Sequence, residues 1–350
     1  MSGKGKGWLE APGITGRKGR YWNLEGLKRI VERERQRRRL ERLREMALTS
    51  IIVLNWNGMN YTKPCIESVL RNTREKFEII VIDNGSKEPE LRELRKMAKG
   101  GKIQTLIENG KNVGFARANN QGLRKAKGDY LFLLNNDTLV PKNWLKDIIA
   151  VAESGKKVGI VGVNLPAGEN DKKVYGGAYV GTSGMVKHWI RQDAKNLGNI
   201  EVDQVGGAAM LFKRSVFERI GELDEGFSPI YFEETDFCAR ARKAGYRVVF
   251  APNISIIHFG SALTRKQPSR WMYVVLKKNR IRYLLIHFPW WKLLLTIPFE
   301  AARFVKSIFE LRAHWLWEAY WLNLKSLGEI MGKRLRYGKG DVKVTNKWQA

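Results

Sequence analysis

The sequence predicts an α/β fold, in which a mostly parallel sheet is flanked by helices on both faces. Short runs of β-branched and aliphatic residues alternate with longer amphipathic segments, which is the pattern of repeated strand–helix units. Several of these runs end in Asn or Asp, and open α/β sheets bind their ligands at the carboxyl ends of the strands. The predicted strands are SIIVLNW (50–56), FEIIVIDNGS (77–86), 102–108, GDYLFLLNND (128–137) and KKVGIVGVNL (156–165).

Helices are expected between these strands, because the intervening segments space their apolar residues at helical intervals. Residues 165–205 are rich in Gly and aromatic residues and predict antiparallel strands or loops. GGAAMLFKRSVFERIG (206–221) predicts a strand that turns into a helix, and YRVVFAPNISIIHFG (246–260) predicts one or two further strands. The predicted helices are 61–73, 88–99, 114–127, 141–154 and 233–245.

The formal net charge of +28 lies mostly outside this α/β region. Residues 1–48 carry +8, residues 49–261 carry +7 and residues 262–350 carry +13. We therefore divide the chain into a basic N-terminal extension with a charged helix at 23–47, an α/β domain and a C-terminal helical region. Basic ends suit an anionic surface such as membrane headgroups or RNA. A nucleic-acid-binding or scaffold protein that uses its basic termini is the alternative, although nucleic-acid enzymes usually carry positive charge around the cleft.

Tryptophans alternate with Lys and Arg in the C-terminal region, beside aliphatic runs. This pattern is typical of interfacial helices. It predicts that 272–287 and 299–325 are helices lying on a membrane face; the alternative is that they form a helical cap or a dimer interface. The sequence has no uncharged apolar run of about 20 residues, so no spanning helix is expected.

Two predicted strands end in carboxylates that suit ligand binding. Asp137, in LNND, can hold a divalent cation, and oxygen ligands suit Mg²⁺ or Mn²⁺. Asp83, in IDNGS, can accept hydrogen bonds from a base or a ribose. The alternative for both segments is an ordinary turn. His258 closes a later strand and is either a structural residue or a second metal ligand together with Asp137.

Two helix starts supply further candidates. NVGFARANNQG (112–122) places backbone amides where they can face phosphate or sugar oxygens, or where they simply form a cap and a turn. FEETDFCARARKAG (232–245) crowds three carboxylates into one turn. Crowding raises at least one pKa, which suits a general base. The alternative is a capping cluster with an ion pair between Asp236 and Arg240.

These segments also occur in the order and approximate spacing of one family. LNWNG, IDNGS, N-x-G-F-A, LNND, GGAAML, FEE-x-D and a late His follow one another over residues 49–261. The chain resembles inverting glycosyltransferases of family 2 with the GT-A (Rossmann-like) fold, and most of all their rhamnosyltransferase-like branch. The resemblance implies a nucleotide-diphosphate sugar donor, a hydroxyl acceptor on a glycan or a lipid-linked glycan, Mg²⁺ or Mn²⁺, and no nucleic-acid partner. It further implies polysaccharide biosynthesis by a cytoplasmic protein that is peripheral at the inner face of the cell membrane, on an anionic surface.

The resemblance assigns roles to residues by their position in the motifs. Glu234 is the expected catalytic base, with Asp236 as the second choice, and Asp137 and His258 are the expected metal ligands. The first Asp of the family's D-x-D element is Asn135 here. Gly206, Gly207 and Glu233 are expected to line the acceptor and sugar pocket. The residues expected to bind the nucleotide and donor are Asn55, Asn57, Asp83, Asn84, Asn112, Gly114, Asn119, Asn135 and Asn136.

Overall fold

The structure is a computed structural model of the 350-residue chain. It describes residues 25–26, 28–32, 34, 47–168, 170–171, 173–188, 190, 197–260 and 269–338. The chain forms two units, Met1–Met46 and Ala47–Ala350. In the first unit the described residues between 25 and 34 are helical, as predicted, and the remainder of the predicted helix at 23–47 lies outside the described residues.

The second unit contains the predicted strand–helix alternation, with small differences at the element ends. The strands are β1 (Thr49–Asn55), β2 (Phe77–Asp83), β3 (Thr105–Glu108), β4 (Tyr130–Asn135), β5 (Thr138–Leu139), β6 (Val158–Asn164), β7 (Gly177–Val180), β8 (Val186–His188), β9 (Ile200–Glu201), β10 (Gln204–Val205), β11 (Ala209–Lys213), β12 (Arg247–Ser255) and β13 (Ile257–His258). The helices are α1 (Met59–Asn72), α2 (Glu88–Lys99), α3 (Phe115–Lys125), α4 (Trp144–Ala152), α5 (Arg214–Ile220), α6 (Glu233–Lys243), α7 (Ser269–His287), α8 (Trp290–Leu294), α9 (Ile297–Phe309), α10 (Ala313–Lys325) and α11 (Leu327–Gly338).

The main sheet has eight strands in the order β3-β2-β1-β4-β11-β6-β12-β9. β1 to β4 are parallel, and so are β6 and β12, but β11 runs antiparallel between β4 and β6. The sheet is therefore mixed, with a parallel half that the strand–helix alternation predicts and an antiparallel insertion that it does not. In this half Asn55 lies in register with Asp83, and Leu54 with Asn135, so the polar strand ends meet at one edge.

Both faces of the sheet are buried, because successive side chains of a strand point to opposite faces. Ile51 and Val53 belong to one hydrophobic core, whereas Ile52 belongs to the other. Helices α1, α2 and α4 contribute buried residues to the first core, and α3 and α6 contribute to the second. This arrangement explains why β1 and β2 are apolar along nearly their whole length instead of alternating.

The C-terminal helices pack on the rest of the unit, and they are broken at one point where a continuous helix is predicted. Helix α7 buries eight residues and helps to form a third core, with Phe227 and Phe232 on one side and Tyr283 and Leu284 on the other. This packing is what the helical-cap alternative expects, and contact of the helix with a membrane stays a prediction. The predicted helix 299–325 is interrupted between α9 and α10, where Leu311 adopts a left-handed backbone conformation with φ of 57°. Throughout the described residues, the helices are too short or too polar to cross a bilayer.

Candidate active site

A single cleft of about 1330 Å³ opens along the edge at which the parallel strands end. Its wall is built from the loops that follow β1, β2 and β4, from the start of α3, from the first turn of α6 and from the β13 strand. The lining combines amides, glycines and carboxylates. The predicted site residues that line it are Asn57, Asn84, Asn112, Gly114, Asn135, Asn136, Asp137, Gly206, Gly207, Glu233, Glu234 and His258.

The end of β1 is held beneath the cleft by a buried hydrogen-bond network. Asn55 Nδ2 donates to Asp83 Oδ1 at 3.0 Å, and Thr62 Oγ1 donates to Asn55 Oδ1 at 2.6 Å. The second carboxylate oxygen of Asp83 accepts from the Ser86 amide at 3.0 Å. Asn55 and Asp83 have no exposed surface, and neither lines the cleft. In this structure they fix the β1 and β2 loops, so their predicted contact with the nucleotide stays a prediction.

A second network shapes the loop before α3. Asn84 Nδ2 donates to Asn112 Oδ1 at 3.0 Å, and the Val113 amide donates to Asn84 Oδ1 at 3.0 Å. Gly114 has a φ of 89° and its amide donates to Asn112 Oδ1 at 2.9 Å. The predicted residues Asn84, Asn112 and Gly114 therefore form one surface of the cleft. Asn119 instead lies within α3, where its side-chain Nδ2 donates to the Phe115 carbonyl. It does not line the cleft.

The pairing of two very short strands brings Asp137 and His258 together. β13 runs antiparallel to β5 with His258 opposite Thr138, which places the imidazole beside the preceding Asp137. His258 Nε2 lies 3.2 Å from Asp137 Oδ1. The contact does not have hydrogen-bond geometry, so this buried nitrogen has no hydrogen-bond partner among the residues that the structure describes. Groups of three or more His, Cys, Asp or Glu side chains with metal-binding geometry are absent from those residues.

The first turn of α6 delivers two carboxylates to the cleft. Tyr231 and Phe232, which precede the helix, both have left-handed backbone conformations with φ of 77° and 75°. Burial raises the pKa of Glu234 to about 7. Burial, together with the charge of Glu234, raises the pKa of Glu233 well above its usual range. Glu233 Oε2 has no hydrogen-bond partner within the described part of the chain.

Asp236 lies two residues further along the same turn and does not line the cleft. Arg240 Nε donates to Asp236 Oδ2, and His287 Nε2 donates to Oδ1, both at 2.7 Å. Burial alone would raise the pKa of Asp236, but the charge of Arg240 and the bond from His287 outweigh it, so the pKa lies well below its usual range. The predicted Asp236–Arg240 ion pair is present. Because both oxygens of Asp236 are paired in this internal network, Glu233 and Glu234 are the carboxylates of this turn that line the cleft.

The sequence reasoning missed aromatic residues that line the same cleft. Tyr175, between β6 and β7, stacks on His188 of β8 with ring centroids 4.6 Å apart. Its hydroxyl lies 3.3 Å from His188 Nε2. Trp271 of α7 also lines the cleft, although α7 follows the predicted α/β domain. The aromatic composition of 165–205 was the available signal, but its side-chain directions depend on the β7–β8 pairing, which the sequence does not fix.

Residues 50–221 match the family model described as glycosyl transferase family 2. The chain carries a family 2 glycosyltransferase domain. An O-antigen biosynthesis protein of Myxococcus xanthus is 28% identical to this glycosyltransferase over 227 residues, which are 62% of this chain and 18% of that protein. A low-salt glycan biosynthesis hexosyltransferase of Haloferax volcanii is 26% identical over 217 residues, which are 60% of this chain and 66% of that protein. The chain therefore spans less than a fifth of the Myxococcus protein.

The glycosyltransferase domain also resembles solved structures. One of them is GalNAc-T7, solved with UDP, GalNAc and Mn²⁺, which superimposes with a TM-score of 0.56 at 18% identity. The superposition covers 69% of this chain and 48% of the GalNAc-T7 chain. This likeness confirms the GT-A fold. The family match confirms the expected glycosyltransferase family, whereas the rhamnosyltransferase-like branch stays a prediction.

The opposite pKa shifts in the first turns of α6 predict opposite effects on the stability of the glycosyltransferase. The raised pKa of Glu234 means that stability is lost as the pH rises from the ordinary pKa of 4.5 to about 7, above which the full cost of the ionised form is present. The lowered pKa of Asp236 means that its ionised form stabilises the fold above the unfolded pKa, and that this stability is lost as the pH falls. At pH 8 we expect Glu234→Gln to raise the thermal midpoint, and Asp236→Asn to lower the free energy of unfolding by about 3 kcal/mol.

Thermal unfolding of both variants at pH 5 and pH 8 measures this difference. The gain from Glu234→Gln should be smaller at pH 5, where the wild-type carboxyl is protonated. A destabilising Glu234→Gln together with a neutral Asp236→Asn at pH 8 would contradict the assignment of the two carboxylates.

Proposed function

We propose that this protein is an inverting glycosyltransferase that moves a sugar from a nucleoside-diphosphate donor to an acceptor hydroxyl. The observation that supports it best is the cleft itself, which is lined both by asparagine side chains and by a carboxylate with a pKa of about 7. The asparagine side chains suit the polar groups of the donor. The relatives and the solved neighbour, which act in glycan synthesis or hold UDP and GalNAc, support the same class of donor.

Glu234 is the general base of the proposed reaction. Its carboxylate takes the proton from the acceptor hydroxyl, and the acceptor oxygen forms a new bond to the anomeric carbon of the sugar. The bond from that carbon to the diphosphate breaks on the opposite face, and the nucleoside diphosphate leaves with the electron pair. One displacement inverts the configuration. A base whose pKa lies near neutral pH combines a populated ionised form with useful proton affinity.

Asp137 and His258 fit a divalent cation beside the donor. The pair lines the cleft, and the buried His258 Nε2 has no hydrogen-bond partner among the described residues. One carboxylate oxygen and one imidazole nitrogen suit Mn²⁺ and also allow Mg²⁺, with the donor diphosphate supplying further oxygens. When bound, the cation would neutralise the charge that develops on the leaving diphosphate. Asn135, in place of an acidic residue, adds no charge to the site.

The proposed base predicts that Glu234→Gln abolishes sugar transfer but leaves the affinity for the nucleoside diphosphate nearly unchanged, since the donor amides are untouched. Removal of a general base typically costs about 10²–10⁴-fold in rate. Wild-type kcat/KM should fall as the pH drops through about 7, because protonated Glu234 cannot accept the proton.

Transfer is measured as released nucleoside diphosphate in a screen of nucleotide sugars, and binding is measured by calorimetry. Asp236→Asn, compared at a temperature where it is folded, is the neighbouring control. Retained turnover in Glu234→Gln would exclude it as the base.

The proposed cation site predicts that His258→Ala and Asp137→Asn raise the Mn²⁺ or Mg²⁺ concentration needed for half-maximal transfer. Each variant removes one protein ligand, and loss of Asp137 also removes the only charge of the pair. Metal titrations of transfer, and of nucleoside-diphosphate binding, measure this change. Full activity of the wild-type enzyme after exhaustive treatment with a chelator would contradict the site.

We further propose that the segment 290–311 docks on an anionic membrane surface, where a lipid-linked acceptor would be met. Apolar side chains on α8 and α9 are exposed to an extent that soluble monomers rarely combine in one segment. Phe309 is 84% exposed and Leu311 is 83% exposed. Residues 262–350 carry a net charge of +13, which favours anionic headgroups. The exposed apolar residues of the segment are Trp290, Trp291, Leu294, Leu295, Ile297, Phe299, Phe304, Val305, Ile308, Phe309 and Leu311.

This docking predicts that the double variant Trp291→Glu/Phe309→Glu no longer sediments with vesicles that contain an anionic lipid. The matched control is Lys99→Gln/Lys146→Gln, which changes the net charge by the same amount on the exposed surfaces of α2 and α4. The control should bind like the wild type. Equal loss in the two double variants would show that total charge, and not this segment, governs binding, and unchanged sedimentation of the first variant would overturn the proposal.

A further inference from the structure

The loop that precedes the proposed base is held from below by one buried side chain of α7. Asn279 has no exposed surface and lies outside the cleft. Its Nδ2 lies 2.6 Å from the Phe227 carbonyl oxygen, 2.9 Å from that of Ile230 and 2.8 Å from that of Tyr231. Because three acceptors surround this one atom, the amide orientation is fixed with the nitrogen toward the loop. We propose that Asn279 is a positioning residue for the glycosyl transfer inferred above.

The loop 227–232 needs such support because its backbone is strained. Tyr231 and Phe232 are both left-handed, a conformation that is unfavourable for a bulky residue. It persists only where surrounding contacts over-determine it. Buried carbonyls that found no donor would destabilise the loop further. Asn279 satisfies the loop carbonyls without touching the cleft, so the strain is held by a residue that is distant in sequence.

The same loop contacts the start of α3 and leads into α6. The Phe115 amide, at the start of α3, donates to the Pro229 carbonyl at 2.9 Å. At the other end the loop leads directly into Glu233 and Glu234. A displaced loop would therefore change the distance between the donor surface at Gly114 and the base. Errors of about 1 Å in such a distance can cost about 10²-fold in rate.

Neighbouring residues of α7 hold the loop's flanks. Lys278 Nζ donates to the Ser228 carbonyl at 2.6 Å. Arg282 pairs with Asp224 at 3.1 Å, and its guanidinium occupies the space that a Cβ at Gly226 would need, since Nη2 would lie 2.0 Å away. Lys278, Asn279 and Arg282 thus face one loop from consecutive turns of one helix. Asn279 is the central contact, because it alone reaches three loop carbonyls.

The test compares Asn279→Leu with Asn323→Leu. Asn323, on α10, is a similarly buried asparagine that donates to the Lys278 and Ala319 carbonyls, away from the loop. Both variants lose a buried amide, so general destabilisation should be similar and is measured by thermal unfolding. We expect Asn279→Leu alone to lower kcat by about 10²-fold. The KM for the nucleotide sugar should change less than about threefold, because the hydrogen bonds among Asn84, Asn112 and Gly114 do not involve the loop.

Hydrogen exchange of the amides at 227–236 gives a readout that does not depend on transfer. Asn279→Leu should speed exchange in this segment, and Asn323→Leu should not. If Asn279→Leu proves too unstable, Lys278→Met removes one flanking contact and should give a smaller change in the same direction. Wild-type exchange in Asn279→Leu, or faster exchange with unchanged kcat, would overturn the positioning role. A wild-type protein that transfers no sugar from any tested donor would instead overturn the proposed function, while the exchange comparison would still decide whether Asn279 holds the loop.

Discussion

The burial of two neighbouring carboxylates in the first turn of α6 is the constraint on which the site depends. Water would hold Glu233 and Glu234 ionised and mobile, and a helix N-terminus alone offsets only part of the cost of burying them. The fold holds these two residues in place through contacts made by their neighbours. Asp236 pairs with Arg240 of the same helix and with His287 of α7, and α7 also holds the loop before α6. The pKa of Glu234 is raised to about 7 because this anchoring keeps its half-buried carboxyl partly out of solvent.

Another part of the cleft is organised by hydrogen bonds between neutral amides. Asn84, Asn112 and Gly114 form a chain of contacts in which side-chain oxygens accept from side-chain and backbone amides. Such a surface presents dipoles without fixed charge, and it would receive the proposed anionic donor without first breaking ion pairs. Charged groups line the cleft where β5 and β13 meet, through Asp137, and in the first turn of α6, through Glu233 and Glu234. The main chemical feature of the cleft is this combination of a neutral asparagine surface, the Asp137–His258 pair and the half-buried carboxylate of the proposed base.

Local sequence patterns were enough to predict the strands, because the hydrophobicity of a strand shows which of its faces are buried. They were not enough where the role of a residue depends on a contact with a residue that is distant in sequence. β1 and β2 could be recognised because strands buried on both faces are apolar throughout. The meeting of Asp137 and His258 followed from family resemblance, but its physical cause is a two-residue strand pairing that no local pattern encodes. Asp83 looks identical in sequence whether it faces a ligand or, as here, the Asn55 and Ser86 groups below the cleft. The break at Leu311 was missed because a leucine gives no sign of a left-handed conformation.

The boundary drawn from composition at residue 261 also has a different meaning in the structure. Composition separates an α/β domain from an aromatic and basic region, and α7 begins that region. Yet α7 supplies Asn279 to the loop, His287 to Asp236 and Trp271 to the wall of the cleft. Two of its arginines are buried in ion pairs instead of facing solvent, Arg280 with Glu300 and Arg282 with Asp224. The change in composition therefore separates a region of strands from a region of helices that are held by buried polar side chains. It does not mark the end of the catalytic unit, which extends at least to the end of α7.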